Sequence, residues 1–582
     1  MALTLVGLSS SLHFQRIDHG SEINFHKRNN NIMSYKTKQP IVMIKNNNPH
    51  DQNHPTTTDH RISKACSRHD FEKLIKETKQ VLSKMGSDQE SLVMIDAVQR
   101  LGIEYHFNEE IETILGRHYV HFNNGNNNHD EYRRLYQVST CFRLLRQQGY
   151  YVSADNAFKK FKNSKDGKFK KELTVDIKGL MGLYEASQLN IGSEDLVLDE
   201  AGEFSARFLN ASIGRLCDRE ARMVGNTLKH PYHKSLARFM AKDFLKDFSG
   251  LKDGWPNMVK ELARMDFDMI QTLHQKEVIQ VSKWWKDKGL ARDLKFARDQ
   301  PAKWYLWPMA TITNPKFSEQ RVELTKPVSF IYLIDDIFDV YGSLDQLTLF
   351  AKAIERWDFR MVEQLPECMK ICFRALDDVI NDFSCKVFNQ RGFNPVDILR
   401  KAWSNLCNAF LVESRWFVSG NLPNAEDYLK NGIISSGVPL ALLHLFFLLE
   451  TDINSTMAAN NLLNDSPLIF SSISTIFRLS DDLGSNKDEN QTGEDGSYVD
   501  CFMKDHNGCS VEMARNNVMR MISNEWKCIN RECLISLQQF SPILKDCCVN
   551  TARMVPLMYN YDQNNKLPLL EKFMPTMLHK HE

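Results

Sequence analysis

The chain has 582 residues, more than one ordinary hydrophobic core organises, so two domains are expected. Its 73 lysines and arginines equal its 73 aspartates and glutamates, which removes any chain-wide attraction to nucleic acid or to an acidic membrane surface. Thirteen cysteines with no CxxC pair and no close Cys/His cluster argue against a disulfide framework or a zinc site and for a reduced, intracellular setting.

Residues 1–50 carry six lysines and arginines but only two acids, Asp18 and Glu22, among many serines and asparagines. The acid-poor stretch is like an organelle transit peptide, with a disordered tail that carries no address as the alternative. Residues 1–67 are therefore set apart, with the plastid as the expected destination and the cytosol as the other. From residue 68 the pattern is helical: Phe71, Leu74, Ile75, Leu82 and Met85 form one stripe that stops at Gly86. Asparagine-rich NNGNNN, residues 123–128, is a loop inside this first helical domain.

The turn-rich segment SGLKDGWPN, residues 249–257, marks the expected boundary between a helical domain over 68–257 and a second over 258–582. Glycine (26) and proline (18) both fall below their usual share of about 7% and 5%, as long helices with few turns require, and no run of alternating strands occurs. The longest apolar run, VPLALLHLFFLL from Val438 to Leu449, contains a histidine and is shorter than the roughly 20 residues a membrane span needs, so no span is expected.

Two acidic clusters stand out in the second domain. In SFIYLIDDIFDVYG, residues 329–342, Asp335, Asp336 and Asp339 lie among apolar and aromatic neighbours, where a carboxylate is costly unless a cation meets it. On a helix turning about 100° per residue, Asp339 comes within about 40° of Asp335, so these side chains can converge. In RLSDDLGSNKDE, residues 478–489, Asp481, Ser485 and Glu489 recur every fourth position and share a face. Oxygen ligands without histidine or cysteine suit a hard cation, and Mg²⁺ takes one or two carboxylates while phosphates and water complete its octahedron. Two such faces can grip one diphosphate through several ions, with Arg478 adding a fixed positive charge for phosphate oxygens. A lone DDxxD is more often a solvated face; RALDDVIND, residues 374–382, is such a decoy, without an apolar flank. The second, differently built cluster is what lifts the first above that reading.

Together these motifs, DDxxD and (N/D)DxxS/TxxxE, resemble those of the plant class I terpene synthases. SLVMIDAVQRLGIEYHF (91–107), VSKWWKDKGL (281–290) and DVYGSLDQLTLFAKAIERWD (339–358) extend the resemblance over about residues 68–575. It implies an all-α fold of two helical domains: a barrel-like, largely structural N-terminal domain and a C-terminal metal-binding catalytic bundle. It also implies a monomer acting on geranyl or farnesyl diphosphate with three Mg²⁺ ions, Mn²⁺ being the alternative ion. The metal ligands carried over are Asp335, Asp336, Asp339, Asp481, Ser485 and Glu489. Asp335 and Asp336 trigger ionisation; Arg298, Arg478, Asp335, Asp339 and Asp481 hold the diphosphate. Trp307 matches the family's cavity tryptophan and Tyr559 a cavity tyrosine near the C-terminal lid, whereas ordinary packing is expected of Trp304 and Tyr305. NQTGEDG (490–496) and YDQNN (561–565) are expected lid or flexible loops.

Where cyclising relatives have RDR, this chain has Arg298, Asp299 and Gln300, and the tandem-arginine motif followed by tryptophan is missing, the first tryptophan being Trp255. Both departures resemble the linalool and nerolidol synthases, which implies an acyclic alcohol as product. The alternatives are an acyclic olefin, myrcene or ocimene, or a non-catalytic helical protein that binds a prenyl diphosphate. A chain-elongating transferase would carry two DDxxD motifs, and a protonation-started cyclase needs DxDD, whereas DFDM at Asp266 lacks the final aspartate.

Overall fold

The structure is a computed structural model that describes residues 68–86, 89–123, 134–192, 196–248, 254–450, 467–485, 497–534, 540–559, 567–568, 570–571 and 574. Among these residues the secondary structure is helical, apart from one isolated antiparallel bridge between Lys162 and Phe169. The first helix, Arg68–Lys84, buries Phe71 and Leu82 and half-buries Leu74 and Ile75, which is the stripe that the spacing predicts.

The apolar faces meet in two large cores. One collects side chains from Phe71 to Met265, the other from Leu236 to Leu570. Both sit within a single compact unit. The helix Trp255–Lys288 serves both: Val259, Leu262 and Met265 lie in the first core, Val281 and Trp285 in the second. Pro256 opens this helix where a missing N–H costs nothing, and Gly289, at φ 71°, ends it in the left-handed region that glycine tolerates.

Two buried polar nodes tie the helices in register. Asp266 accepts from Arg238 Nη1 at 2.9 Å, pairs with His106 Nε2 at 2.9 Å and takes a short hydrogen bond from the Tyr105 hydroxyl. The DFDM string therefore has a structural role. Arg321, fully buried, forks onto Glu277 at 2.6 and 2.8 Å and donates to the carbonyls of Ile312 and Asn314. This bidentate pair locks the helix Ser318–Asp336 against Trp255–Lys288.

By length and composition, Ala425–Leu449 could cross a membrane. It divides instead at Gly437, φ 71°, into helices Ala425–Ser435 and Val438–Leu449, and most of its residues are buried in the protein. The described cysteines are all free.

Candidate active site

The helix Ser318–Asp336 is buried along most of its length and delivers Asp335 and Asp336, 3% and 6% exposed, at its C-terminal end. A regular helix would carry Asp339 onward near the face of Asp335. The backbone instead widens at Ile337–Tyr341 into a single π-helical turn, and Asp339 lies exposed. Turns of this kind recur at functional sites because they re-aim side chains.

The cation that meets these carboxylates is Arg298. Its Nη2 donates to Asp335 Oδ2 at 2.6 Å, its Nε pairs with Asp336 Oδ1 at 2.7 Å, and its backbone N–H donates to Asp336 Oδ2 at 2.8 Å. The guanidinium carbon also lies 4.9 Å from the centre of the Tyr332 ring. Burial works against the arginine's charge, but the two carboxylates outweigh it and hold the guanidinium protonated more firmly than usual. For Asp336 burial wins over Arg298, and its pKa is raised.

The second cluster grows from the helix Leu468–Ser485. Arg478 and Asp482 are buried and paired at 2.9 Å. Tyr428 accepts a short hydrogen bond from Arg478 Nη2 and donates to Asp482 Oδ1 at 3.1 Å, while Asp482 Oδ2 takes the Tyr498 N–H at 2.9 Å. Glu413 stands 3.9 Å from Arg478 Nη1 and accepts from Ser435 Oγ at 2.6 Å. Gly432 makes this packing possible, since a Cβ there would come within 2.9 Å of the Arg478 stem. Asp481 is pushed up to about 7 by burial, against the pull of Arg478 and with Asp335 among the charges that raise it. The side chain of Ser485 and all of Glu489 lie outside the described residues, as do both expected lid loops.

Between the clusters runs an aromatic wall. Trp307 is 7% exposed, donates its Nε1–H to the Tyr332 hydroxyl at 2.8 Å and tilts against Phe477 at 5.2 Å. Tyr559, the last residue of the helix Pro542–Tyr559, meets the same Phe477 edge-on at 6.0 Å. Trp307 lines an apolar cavity of about 40 Å³ with Val328, Ile331, Val438 and Thr551. Trp304 packs edge-on against Trp285 at 4.7 Å, and Tyr305 joins the Glu277 node while sharing 2.6 Å with His274 Nδ1. Both are buried in the second core.

A roomier cavity of about 620 Å³ lies among the N-terminal helices, lined by Asp96, Arg100, Arg143 and Glu185. These charges pair with each other, with Arg100 Nε 2.9 Å from Asp96 and Arg100 Nη2 3.4 Å from Glu185, and include none of the acidic-cluster residues. Its size does not make it the reaction site. The decoy cluster is likewise occupied: Asp377 accepts from Trp357 Nε1 and Arg400, and Asp378 pairs with Lys288.

The donor set fits a hard divalent ion: it is made of oxygens, and a guanidinium already stands where positive charge is wanted. Among the described residues no three carboxylate, imidazole or thiol side chains form a ready cage.

The comparisons with known proteins agree with this architecture. The family model "Terpene synthase family, metal binding domain" matches residues 286–528, and "Terpene synthase, N-terminal domain" matches 42–228. An (E)-nerolidol synthase of Cannabis sativa is 48% identical over 86% of this chain and 90% of its own. A chloroplastic neryl diphosphate diphosphatase of Glycine max is 46% identical over 86% of this chain and 93% of its own. Among solved structures, isoprene synthase from grey poplar leaves, in complex with three Mg²⁺ ions and dimethylallyl-S-thiolodiphosphate, superposes with a TM-score of 0.81 at 34% identity, covering 88% of this chain and 96% of that one. The chain belongs to the terpene synthase family, and it has the two-domain all-α fold of that family.

Proposed function

We propose that the protein ionises geranyl or farnesyl diphosphate in a Mg²⁺-dependent step and captures the resulting cation with water, giving linalool or nerolidol. The observation that supports this reading is that Trp307 joins the helix of Asp335 and Asp336, through the Tyr332 hydroxyl, to the helix of Asp481 and Asp482, through Phe477, with an arginine paired to each acidic cluster. Asp335, Asp336 and Asp339 on one side and Asp481, Ser485 and Glu489 on the other are the assigned metal ligands. Mg²⁺, when bound, supplies Lewis-acid neutralisation of the charge that grows on the departing diphosphate. Arg298 and Arg478 offer fixed donors to the same oxygens. The aromatic faces offer electron density to the allylic cation, and the buried apolar walls limit stray water.

Residues 258–582 are assigned the catalytic role and 68–257 a structural one. The enzyme is proposed to work as a monomer. The similarity to an (E)-nerolidol synthase supports the acyclic alcohol, and so does Gln300, which stands just before the helix Pro301–Thr311 where RDR has its second arginine. Residues 1–67 are proposed to direct the chain to plastids, in keeping with the chloroplastic relative. Incubating the purified protein with each diphosphate, with and without Mg²⁺, tests the reading: acyclic alcohols that appear only with the ion support it. Myrcene or ocimene would transfer the assignment to an olefin synthase, and binding without turnover would reject an enzyme altogether.

A further inference from the structure

The helix Pro542–Tyr559 turns one side to the reaction site and another to the seam between the two helical cores. On the seam side lies a pocket of about 200 Å³, walled by Arg146, His233, Asn530, Lys545, Asp546 and Arg553. Three cations therefore face one carboxylate. None of these residues belongs to either acidic cluster.

The hydrogen bonds fix the protonation of His233. Asn530 donates both hydrogens of its Nδ2, to the carbonyls of Gln188 and Asn190, each at 2.9 Å, so its Oδ1 is the atom that faces His233 Nε2 at 2.7 Å. An amide oxygen only accepts, so Nε2 carries the proton. Burial, with Arg553 next in weight, holds the imidazole pKa down to about 3, so the ring is neutral at pH 7. Its Nδ1 is then a bare acceptor, and it is buried with no hydrogen-bond partner in a side chain only 6% exposed. A buried acceptor left unmatched is costly, and a donor that reaches it gains accordingly.

The rest of the wall complements it. Arg553 spends Nε on the His233 carbonyl and Nη1 on Asn550, which leaves Nη2 to donate. Arg146 is committed to the carbonyls of Val152 and Leu189 and contributes charge. Asp546 is a second acceptor. We propose that this seam pocket binds a protonated phosphoryl anion, from free phosphate or from the end of a diphosphate, whose P–OH groups reach His233 Nδ1 and Asp546 while its charged oxygens meet Arg553 and Lys545. Dihydrogen phosphate has two hydroxyls for two acceptors. Sulfate has the same shape and none.

Isothermal titration of the full chain in metal-free buffer at pH 7, with inorganic phosphate, diphosphate and sulfate in turn, tests this. Phosphate binds at least about 10-fold more tightly than sulfate, as the loss of both hydroxyl hydrogen bonds, one of them to the charged Asp546, requires. Diphosphate binding that matches or exceeds phosphate identifies the released leaving group as a source, and weaker binding identifies free phosphate. Arg553→Gln weakens phosphate at least about 10-fold. Because Arg553 also supports the His233 carbonyl, the half-buried Lys545→Gln is the second variant and weakens it several-fold with unchanged circular dichroism. Sulfate binding as well as phosphate, no phosphate heat at millimolar concentration, or wild-type affinity in a folded Lys545→Gln would overturn the proposal. No substrate is present in the titration, so its outcome is separate from that of the synthase reading.

Discussion

Arg298 holds both carboxylates of the first acidic cluster, with Nη2 2.6 Å from Asp335 and Nε 2.7 Å from Asp336. The pair is at most one-quarter exposed on the arginine side and nearly closed on the aspartate side, so the guanidinium is the local counter-charge in the metal-free protein. Divalent ions that enter must share or displace it. Arg298→Gln should then cost about 3–5 kcal/mol in metal-free buffer, because one buried partner is removed and two carboxylates are left to repel. Mg²⁺ should restore more stability to the variant than it adds to the wild type. Thermal unfolding with EDTA and with excess Mg²⁺ measures this; a variant no less stable without metal, and no more responsive to it, would contradict the pairing role.

Replacing the carboxylates tests the metal assignment itself. Asp335→Asn and Asp336→Asn should each lower turnover by about 100-fold or more while leaving the circular dichroism spectrum unchanged, since each removes ion-binding charge and keeps the side-chain volume. Glu489→Gln should raise the Mg²⁺ concentration for half-maximal rate several-fold. Near-wild-type rates in both aspartate variants would end the assignment.

Three buried histidines make the fold acid-sensitive. Burial holds His233 down to about 3, and His274 and His444 down to about 4, against 6.5 for a free imidazole. A base whose folded pKa lies below its unfolded one binds more protons when unfolded, so stability is full above pH 6.5 and falls as pH drops toward 4. At about 1.4 kcal/mol per unit the loss is on the order of 2–3 kcal/mol per histidine by pH 4. His444→Leu, whose side chain cannot charge, should move the acid-unfolding midpoint to lower pH. An unchanged midpoint would mean that His444 takes up its proton equally in the folded and unfolded states.

Truncation of residues 1 to about 60 should leave kcat and Mg²⁺ dependence unchanged if the segment is an address. A fluorescent reporter fused behind it should collect in plastids. Cytosolic fluorescence would reject the address, and lost activity would give the segment a part in the site.

The helical class and the two acidic clusters could be read in the sequence because each depends on local spacing. Positions four apart share a helix face wherever the helix lies, which is why Phe71, Leu82 and the DDxxD stretch were legible. The π-helical turn at Ile337–Tyr341 was not, since one extra residue per turn leaves no mark in a pattern read at 3.6. Phe477, Tyr332 and Tyr428 were missed as well. The first two had a signal: Phe477 precedes Asp481 by four residues and Tyr332 precedes Asp335 by three, so each shares a face with a carboxylate already singled out. Tyr428 and Glu413 reach Arg478 from other helices, across a separation that no local pattern encodes. The long helix Trp255–Lys288, which starts within the turn-rich segment 249–257, is built into both cores, because apolar residues recur along its whole length.

Ionisation spreads positive charge over the primary and tertiary allylic carbons, and attack of water at the tertiary carbon yields the acyclic alcohol with no ring closure. Mass analysis of the product formed from each prenyl diphosphate in ¹⁸O-water is the most direct measurement of that step. The account predicts linalool from geranyl diphosphate and nerolidol from farnesyl diphosphate, each carrying solvent oxygen. A dominant cyclic product, or an alcohol whose oxygen does not come from the solvent, would contradict it.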